Sequence, residues 1–218
     1  MDNKRVAVIL SGCGVYDGAE INEVVLTLLA LESLGIGYQC FAPNSEQYHV
    51  IDHITGEPVT DQRNVMTEAA RIVRGQVKPV TECQPGEFCA VIVPGGFGVA
   101  KNLSDFAMTA ENMVIRPDVL AILQQFKEAG KPAGYMCIAP VLLPIVYGEG
   151  VLLTVGNDTD TIAIVEKMGG KHQEAGVGDI VVDTVNNVVT TPAYMLATSL
   201  TEAKQGIDKL VNKITQLS

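Results

Sequence analysis

Short apolar runs alternate along the chain with longer stretches whose apolar residues recur at helical spacing. Residues 6–10 (VAVIL) form a continuous, mostly β-branched run that ends in Ser-Gly, which is typical of a strand buried on both faces. Residues 20–34 have a helical period, and Gly35 follows as a helix-closing glycine. Residues 37–42 then predict a second strand, so the chain begins with a β-α-β unit.

The same alternation continues to the end of the chain and predicts one domain over residues 1–218. Residues 43–61 are polar and irregular, with turn signals, and residues 138–147 predict a helix that its two prolines kink or delay. Alternating strands and helices imply right-handed crossovers around a mostly parallel sheet, an α/β sandwich. The further predicted strands are 88–93, 133–136, 180–182 and 188–191, and the further helices are 62–74, 119–129, 138–147, 160–168 and 195–214.

Three unusual loops follow predicted strands. They are Ser-Gly-Cys-Gly at 11–14, Pro-Gly-Gly-Phe-Gly at 94–98, and the single residue Cys137. Ligand sites in open α/β sheets lie beyond the carboxyl ends of the strands, so these loops meet in one crevice if their strands are neighbours. The sequence therefore predicts a functional site at that edge of the sheet.

Cys137 stands between a strand and a helix, which is the geometry of a nucleophile elbow. The amides and the positive dipole end of the following helix would face the sulfur, so we expect a thiol pKa below its ordinary value. The alternative is a cysteine that fills the core, because free cysteine is among the most buried residues.

Two further elements could complete such a site. The backbone amides of Gly95 and Gly96 are candidate oxyanion-hole donors, although a Pro-Gly-Gly turn is also an ordinary loop. Glu20 and Glu23 lie on one face of the first helix, where acidic residues also suit the helix dipole. If one of them contacts Cys137, we expect a raised glutamate pKa and a lowered cysteine pKa in a coupled pair.

Composition narrows the function classes. The 218 residues are 47% hydrophobic and 18% charged, with a net charge of −10, which disfavours nucleic acid and anionic membrane surfaces as partners. The carboxylates and three histidines show no metal-ligand spacing, so no metal is expected. The Gly-x-Gly at 12–14 lacks the third glycine of a dinucleotide site, and no P-loop occurs.

The cysteines and the amino-terminal residues bear on location. Five cysteines without a CxxC motif favour a reducing compartment, and we expect no disulfide. The first twelve residues contain only five consecutive apolar residues, shorter than the apolar region of a signal peptide, and no apolar run reaches about 20 residues. We expect a cytoplasmic protein, with an organelle matrix as the alternative if a precursor was trimmed.

The histidines do not supply an obvious catalytic base. His172 begins a His-x-Glu sequence but lies in a glycine-rich stretch, where a solvated loop is the simpler interpretation. His49 and His53 fall in the irregular segment, which could be surface or could fold over the crevice. Cys13 could lie near Cys137, although a small turn residue is the simpler interpretation.

The three loops together resemble the ThiJ/PfpI superfamily, a flavodoxin-like three-layer sandwich related to class I glutamine amidotransferases. The resemblance covers nearly the whole chain and is closest to the ElbB branch, which is associated with isoprenoid biosynthesis. The residues that carry it are ILSGCGVYDGAEINE (9–23), VPGGFG (93–98), KNLSDFA (101–107), GYMCIAP (134–140) and TTPAYM (190–195).

The resemblance implies specific roles. Cys137 would be the nucleophile and Glu23, rather than Glu20, the acid/base, with Gly95, Gly96 and Ile138 giving the oxyanion-hole amides. Many relatives place a histidine directly after the cysteine or near the next strand, where this chain has Ile138 and residues 154–156, which disfavours peptidase and amidase chemistry.

The function that the resemblance implies is a glutathione-independent glyoxalase. It would convert a small dicarbonyl such as glyoxal to a hydroxy acid, without a cofactor, and would work as a homodimer. The alternatives are a redox-sensing protein or a protective deglycase or chaperone-like protein with incidental catalysis, and an amidotransferase or deglycase subunit that acts with a partner.

Overall fold

The computed structural model describes residues 4–218, and its strands belong to two sheets. Seven strands form the main sheet, and β6 and β7 form a small second one. The strands of this part of the chain are β1 (Arg5–Ile9), β2 (Gly37–Ala42), β3 (Val77–Pro79), β4 (Ala90–Val93), β5 (Ala133–Met136), β6 (Leu152–Leu153), β7 (Lys171–His172), β8 (Val181–Asp183) and β9 (Val188–Thr191).

Helices connect these strands. Shorter 3₁₀ segments also occur, and a π-helical turn spans Val99–Leu103. The α-helices are α1 (Ile21–Ser33), α2 (Val65–Ile72), α3 (Phe106–Thr109), α4 (Pro117–Glu128), α5 (Leu143–Tyr147), α6 (Thr159–Lys167) and α7 (Leu200–Leu217). No helix within residues 4–218 is both long and apolar enough to cross a bilayer.

The main sheet has the order β3-β2-β1-β4-β5-β9-β8, and only β8 runs antiparallel to its neighbour. The strand order reverses between β1 and β4, because β1 continues to β2 on one side and β4 continues to β5 on the other. Such a switch point opens a crevice at the carboxyl ends of the strands. The predicted flavodoxin-like α/β sandwich is confirmed.

Two apolar layers enclose the sheet. Val6 and Val8 of β1 pack in one cluster with buried side chains of α1, α2 and α7. Ala7 and Ile9 point to the opposite face, into a cluster that includes side chains of α4 and α5. This two-sided burial is the physical reason why residues 6–9 of β1 are all apolar, rather than apolar at alternate positions.

The largest differences from the predicted elements lie in two helices. Pro140 and Pro144 divide the predicted helix 138–147 into a 3₁₀ turn, Ala139–Leu142, and the five-residue α5. The last helix begins at Leu200 instead of residue 195, because the Ser199 side chain caps it by accepting from the Glu202 amide. The sequence analysis also missed β3, β6 and β7, which have only two or three residues each.

Candidate active site

Cys137 occupies a strained turn directly after β5. Its φ of 59° lies in the left-handed region, which is uncommon for a residue with a side chain. The backbone is held there by the Cys137 amide, which donates to the Thr191 carbonyl at 3.1 Å, and the side chain is only 7% exposed. The structure therefore has the strand-turn geometry of a nucleophile elbow.

The backbone amides of Gly96 and Ile138 lie beside the Cys137 sulfur, and both lower the pKa of its thiol. Both residues were predicted as oxyanion-hole donors. The amide of Gly95 was predicted in the same role, but it donates to Glu23 Oε2 at 2.8 Å and is not free for a substrate oxygen. The prediction for Gly95 is wrong because the turn directs successive amides to different acceptors.

Gly95 is nevertheless essential to the approach of the loops. A Cβ at this position would lie 2.5 Å from the Cys137 Cβ and 2.8 Å from Glu23 Oε2. Both distances are far inside van der Waals contact, so any larger residue must displace the pair of functional side chains. Because Gly95 has no side chain, the loop after β4 can pack directly against Cys137 after β5.

Glu23 projects from the first turn of α1 and is completely buried. Its Oε2 accepts from Gly95 N at 2.8 Å and its Oε1 from Tyr194 N at 3.2 Å, and its carboxyl lies beside the Cys137 sulfur, since an added Cβ at Gly95 would meet both groups. Burial, followed by repulsion from Glu20, raises the pKa of Glu23 to about 7, although these hydrogen bonds oppose the shift. The predicted raised glutamate pKa is confirmed.

Glu20 has a different position. It is the N-cap of α1, and its Oε2 accepts from the Glu23 amide at 2.7 Å. Burial raises the pKa of Glu20, and its backbone hydrogen bonds from Glu23 and Asn22 lower it. Glu20 therefore closes the helix end and acts on the site through its charge, whereas Glu23 makes the contact with Cys137.

The expected low cysteine pKa is wrong. Burial raises the pKa of Cys137 well above its ordinary value, and the nearby Glu23 carboxylate adds to the shift, while the Gly96 and Ile138 amides only partly offset it. The segment after Cys137 is a 3₁₀ turn followed by a five-residue helix, so it offers little macrodipole. The raised pKa therefore favours a protonated Cys137 thiol beside the Glu23 carboxyl group over a preformed thiolate.

A cavity of about 460 Å³ opens onto the sulfur. Residues from six segments surround it, which are the turn after β1, the loop after β4, α3, the turn after β5, the start of α6 and the turn after β9. Its lining residues are Val15, Gly96, Phe97, Ala100, Phe106, Ala107, Cys137, Ile138, Asp158, Thr161, Tyr194 and Met195. The volume is that of a small-molecule site.

Tyr194 is a site residue that the sequence analysis did not single out. Its amide binds Glu23, and its hydroxyl accepts from Asn22 Nδ2 at 3.4 Å. The turn that carries it follows β9, the strand beside β5, so it reaches the same sheet edge. The available signal was the TTPAYM segment at 190–195, which was used only as part of the resemblance.

The histidines and Cys13 lie outside the lining of this cavity. The irregular segment does fold over the turn after β1, since His53 Nε2 accepts from the Tyr16 amide at 3.2 Å and lies 3.9 Å from Asp17 Oδ1. His172 lies on β7, with its Nε2 3.5 Å from Thr154 Oγ1, and was wrongly expected in a loop. All five cysteines are free thiols.

Within residues 4–218, no group of three or more His, Cys, Asp or Glu side chains is arranged to hold a metal ion.

Comparison with known proteins places this geometry in a family. A human protein named glutamine amidotransferase-like class 1 domain-containing protein 3, mitochondrial, is 43% identical over 224 residues, which cover 98% of this chain and 83% of the human protein. The crystal structure of an isoprenoid biosynthesis protein with an amidotransferase-like domain from Ehrlichia chaffeensis has a TM-score of 0.90 and 36% identity, over 97% of this chain and 99% of that chain. No protein-family model matches the chain.

The chain belongs to the family of class I glutamine amidotransferase-like proteins. A ThiJ/PfpI domain protein from Brachyspira murdochii shares the fold, with a TM-score of 0.59 at 15% identity over 99% of this chain and 98% of that chain. The expected cytoplasmic location is wrong, because the human, rat and zebrafish relatives are all named as mitochondrial proteins.

Proposed function

We propose that this protein is a cofactor-independent glyoxalase that converts glyoxal-type dicarbonyls to hydroxy acids. The observation that supports the proposal is the buried Glu23 carboxyl beside the Cys137 sulfur, with the Gly96 and Ile138 amides next to that sulfur. A nucleophile, one acid/base and two oxyanion donors are the groups that this reaction needs.

The first step is addition of sulfur to the aldehyde carbon. Glu23 takes the thiol proton as the C–S bond forms, and the carbonyl π electrons move to oxygen, which the amides of Gly96 and Ile138 stabilise. Protonation of that oxygen gives a hemithioacetal. A carboxylate whose pKa is about 7 suits this role, because a base is most effective when its pKa lies near the working pH.

The second step moves the carbon-bound proton. Glu23 removes the former aldehyde proton to give an enediol, and protonation at the neighbouring carbon gives a 2-hydroxy thioester of Cys137. Water then cleaves the thioester and releases the hydroxy acid and the free thiol. The sum is the dicarbonyl plus one water, so no external oxidant or reductant is required.

A redox-sensing role is the second candidate, since exposed cysteines whose thiol pKa is low oxidise readily. The 7% exposure of Cys137 and its raised pKa argue against rapid oxidation, because the thiolate is the reactive form. A protective deglycase role uses the same nucleophile and differs in its substrate. Amidotransferase action beside a partner protein would instead require ammonia release from glutamine, and deglycase action would require release of a hydroxy acid and the free amine from a glycated substrate.

Product analysis separates these functions. We expect glycolate from glyoxal without added glutathione, no ammonia from glutamine, and slow formation of sulfinic acid in mild peroxide. The Cys137→Ala variant should give no glycolate. Peroxide oxidation that outpaces turnover of every dicarbonyl would instead support sensing.

We also propose a homodimer, as the resemblance implies. Apolar side chains of Ile21, Val25 and Leu29 lie one turn apart along α1 and are 41%, 47% and 46% exposed, which supports self-association through this helix. Sedimentation velocity should give a dimer for the unaltered chain and a monomer for Val25→Glu. A monomer at all concentrations for the unaltered chain would contradict the proposal.

A further inference from the structure

Arginine occupies a position at the end of α2 where three other helices have glycine. The first residue beyond the C-cap has a positive φ in α1, α4 and α6, where it is Gly35 (68°), Gly130 (65°) and Gly169 (95°), and in α2, where it is Arg74 (53°). All four helices end with the same backbone hydrogen bond, in which the amide of the following residue donates to a carbonyl of the last turn. Glycine adopts this conformation without steric cost, whereas a side chain disfavours it. Arg74 therefore lowers the stability of the fold relative to glycine.

The Arg74 side chain has no partner within the described chain that would offset this cost. It is exposed, and it makes neither an ion pair nor a side-chain hydrogen bond with any of residues 4–218. The nearby Arg71 and Arg63 differ, because they pair with Glu68 at 2.8 Å and 3.8 Å. A strained backbone position that no internal contact explains indicates a role of the side chain toward a ligand.

Arg74 lines a cavity of about 620 Å³ between α1, α2 and β2. This volume lies within the range of small-molecule sites. The cavity shares no lining residue with the one at Cys137, so it is a separate site. Its lining residues are Leu28, Tyr38, Gln39, Cys40, Ile72, Val73, Arg74 and Gln76.

The polar groups of this wall favour an anion. Of the described lining residues, Arg74 alone is charged, and Gln76, on the same side of the cavity in sequence, adds amide N–H donors. The carboxyl of Glu32 lies outside the lining and accepts from the Tyr38 hydroxyl at 2.7 Å. The Arg74 guanidinium can therefore pair with a carboxylate from solution, whose two oxygens match its paired N–H groups.

We propose that this cavity binds a monocarboxylate with an apolar chain. The carboxylate pairs with Arg74, and the chain lies against Leu28, Ile72 and Val73, which give the cavity its apolar surface. Burial of the chain removes apolar surface from water, which is favourable in proportion to the area buried. Binding here is independent of the chemistry at Cys137, because the two cavities have no residue in common.

Calorimetric titration of the unaltered protein with four probes tests the ligand class. We expect octanoate to bind at least about tenfold more tightly than acetate, because octanoate buries a chain that acetate lacks. We expect octanoate to bind at least about tenfold more tightly than 1-octanol, because the alcohol makes no charge-assisted pair with Arg74. Equal affinity of octanoate and 1-octanol, or binding of inorganic phosphate as tight as that of octanoate, would overturn the proposal.

Arg74→Gly tests the role of the arginine in a variant that keeps the fold. Glycine suits the φ of 53°, so the urea midpoint of unfolding should rise, while the affinity for octanoate should fall at least about tenfold. Lys78→Gln is the control, because Lys78 is exposed and lies outside the lining, and its replacement removes the same charge. It should leave the affinity unchanged. Unchanged octanoate affinity in Arg74→Gly, or an equal loss in Lys78→Gln, would overturn the proposal.

Gly35→Arg tests the conformational cost of arginine at this helix position. No atom lies within 4 Å of a Cβ added at Gly35, so the new side chain meets only the cost of a φ of 68°. The urea midpoint should fall, by an amount comparable to its rise in Arg74→Gly. A lower midpoint in Arg74→Gly, or an unchanged one in Gly35→Arg, would mean that arginine serves the fold at this position and would overturn the proposal.

Discussion

The carboxyl of Glu23 and the thiol of Cys137 lie side by side in a buried site, and the pKa of each group is raised. Glu23 reaches the sulfur from α1, after β1, whereas Cys137 follows β5, two strands away in the sheet. The β4 loop lies between them and contacts both, through Gly95 N at the carboxyl and Gly96 N beside the sulfur. Nucleophile formation is therefore coupled to proton transfer within the pair.

Replacement of Cys137 by alanine should abolish glyoxal consumption and leave the fold intact. Loss of the buried sulfur lowers stability slightly. Alanine disfavours a φ of 59° as cysteine does, so the substitution relieves no backbone strain. Enzyme assays with circular dichroism melting measure both quantities. Cys89→Ala, at a half-buried free cysteine outside the cavity, is the control and should retain activity.

The activity of the unaltered protein should rise with pH through an apparent pKa near 7. The Glu23 carboxylate is the form that accepts the thiol proton, and its pKa is about 7. Glu23→Gln should lower kcat/KM by about 100-fold or more, since general base catalysis contributes about 10²–10⁴. A pH profile measured from pH 5 to 8 that is flat for the unaltered protein would remove Glu23 from this role.

The same carboxyl should make stability depend on pH. The folded pKa of Glu23, about 7, lies above the unfolded value of about 4.3, so its favourable contribution is fully present below pH 4.3 and is lost as pH rises through 7. The change amounts to about 4 kcal/mol at about 1.4 kcal/mol per pKa unit.

Urea unfolding of the unaltered protein and of Glu23→Gln at pH 4.5, 6 and 8 measures this effect. As pH rises, the unfolding free energy of the unaltered protein should fall relative to that of the Glu23→Gln variant. Only the trend is diagnostic, because the glutamine amide cannot accept from both Gly95 N and Tyr194 N and costs stability at every pH. Parallel pH curves would show that Glu23 ionises normally.

Glu20→Gln tests whether Glu20 acts through its charge. The glutamine oxygen can still cap α1 at the Glu23 amide, and the like charge that raises the pKa of Glu23 is removed. We expect the ascending limb of the pH–rate profile to move to lower pH, with less than about a tenfold loss of the maximal rate. A loss equal to that of Glu23→Gln would mean that Glu20 takes part directly in proton transfer.

The sequence predicted the position of the site at the sheet edge and the two residues Glu23 and Cys137, because these predictions depend on local patterns. The β-branched run of β1, the helical period of α1 and the single residue between β5 and the next turn are all visible in the residues themselves. The loops meet because parallel strands place their carboxyl ends together, which follows from the alternation of elements.

The cysteine pKa and the destination of the Gly95 amide could not be predicted in the same way. Both depend on how deeply the loops bury Cys137 and on where each amide points, which are set by contacts between residues distant in the chain. The dipole expected from residues 138–147 failed for a local reason, since Pro140 and Pro144 shorten the helix, and those prolines were visible. Prediction of Tyr194 as a site residue would have required the knowledge that β9 lies beside β5.

Gly96→Ala should show how closely the β4 loop is fitted to α1. Gly96 has a φ of 96°, and an added Cβ would collide with the Glu20 amide nitrogen and the Gly18 carbonyl oxygen, both of which are backbone atoms and cannot move away cheaply. Gly130, with a φ of 65° and no atom within 4 Å of an added Cβ, is the matched control for the conformational cost alone.

Gly130→Ala should lower the unfolding free energy by about 1 kcal/mol and leave turnover unchanged. Gly96→Ala should cost about 1–3 kcal/mol more, because the overpacked contact adds to the same backbone penalty. It should also reduce turnover strongly, since a shift of this loop moves the amide that lies beside the Cys137 sulfur. Urea unfolding measures both stability losses. Equal losses in the two variants would mean that the loop after β4 moves easily, and this would contradict a fixed position for the Gly96 amide.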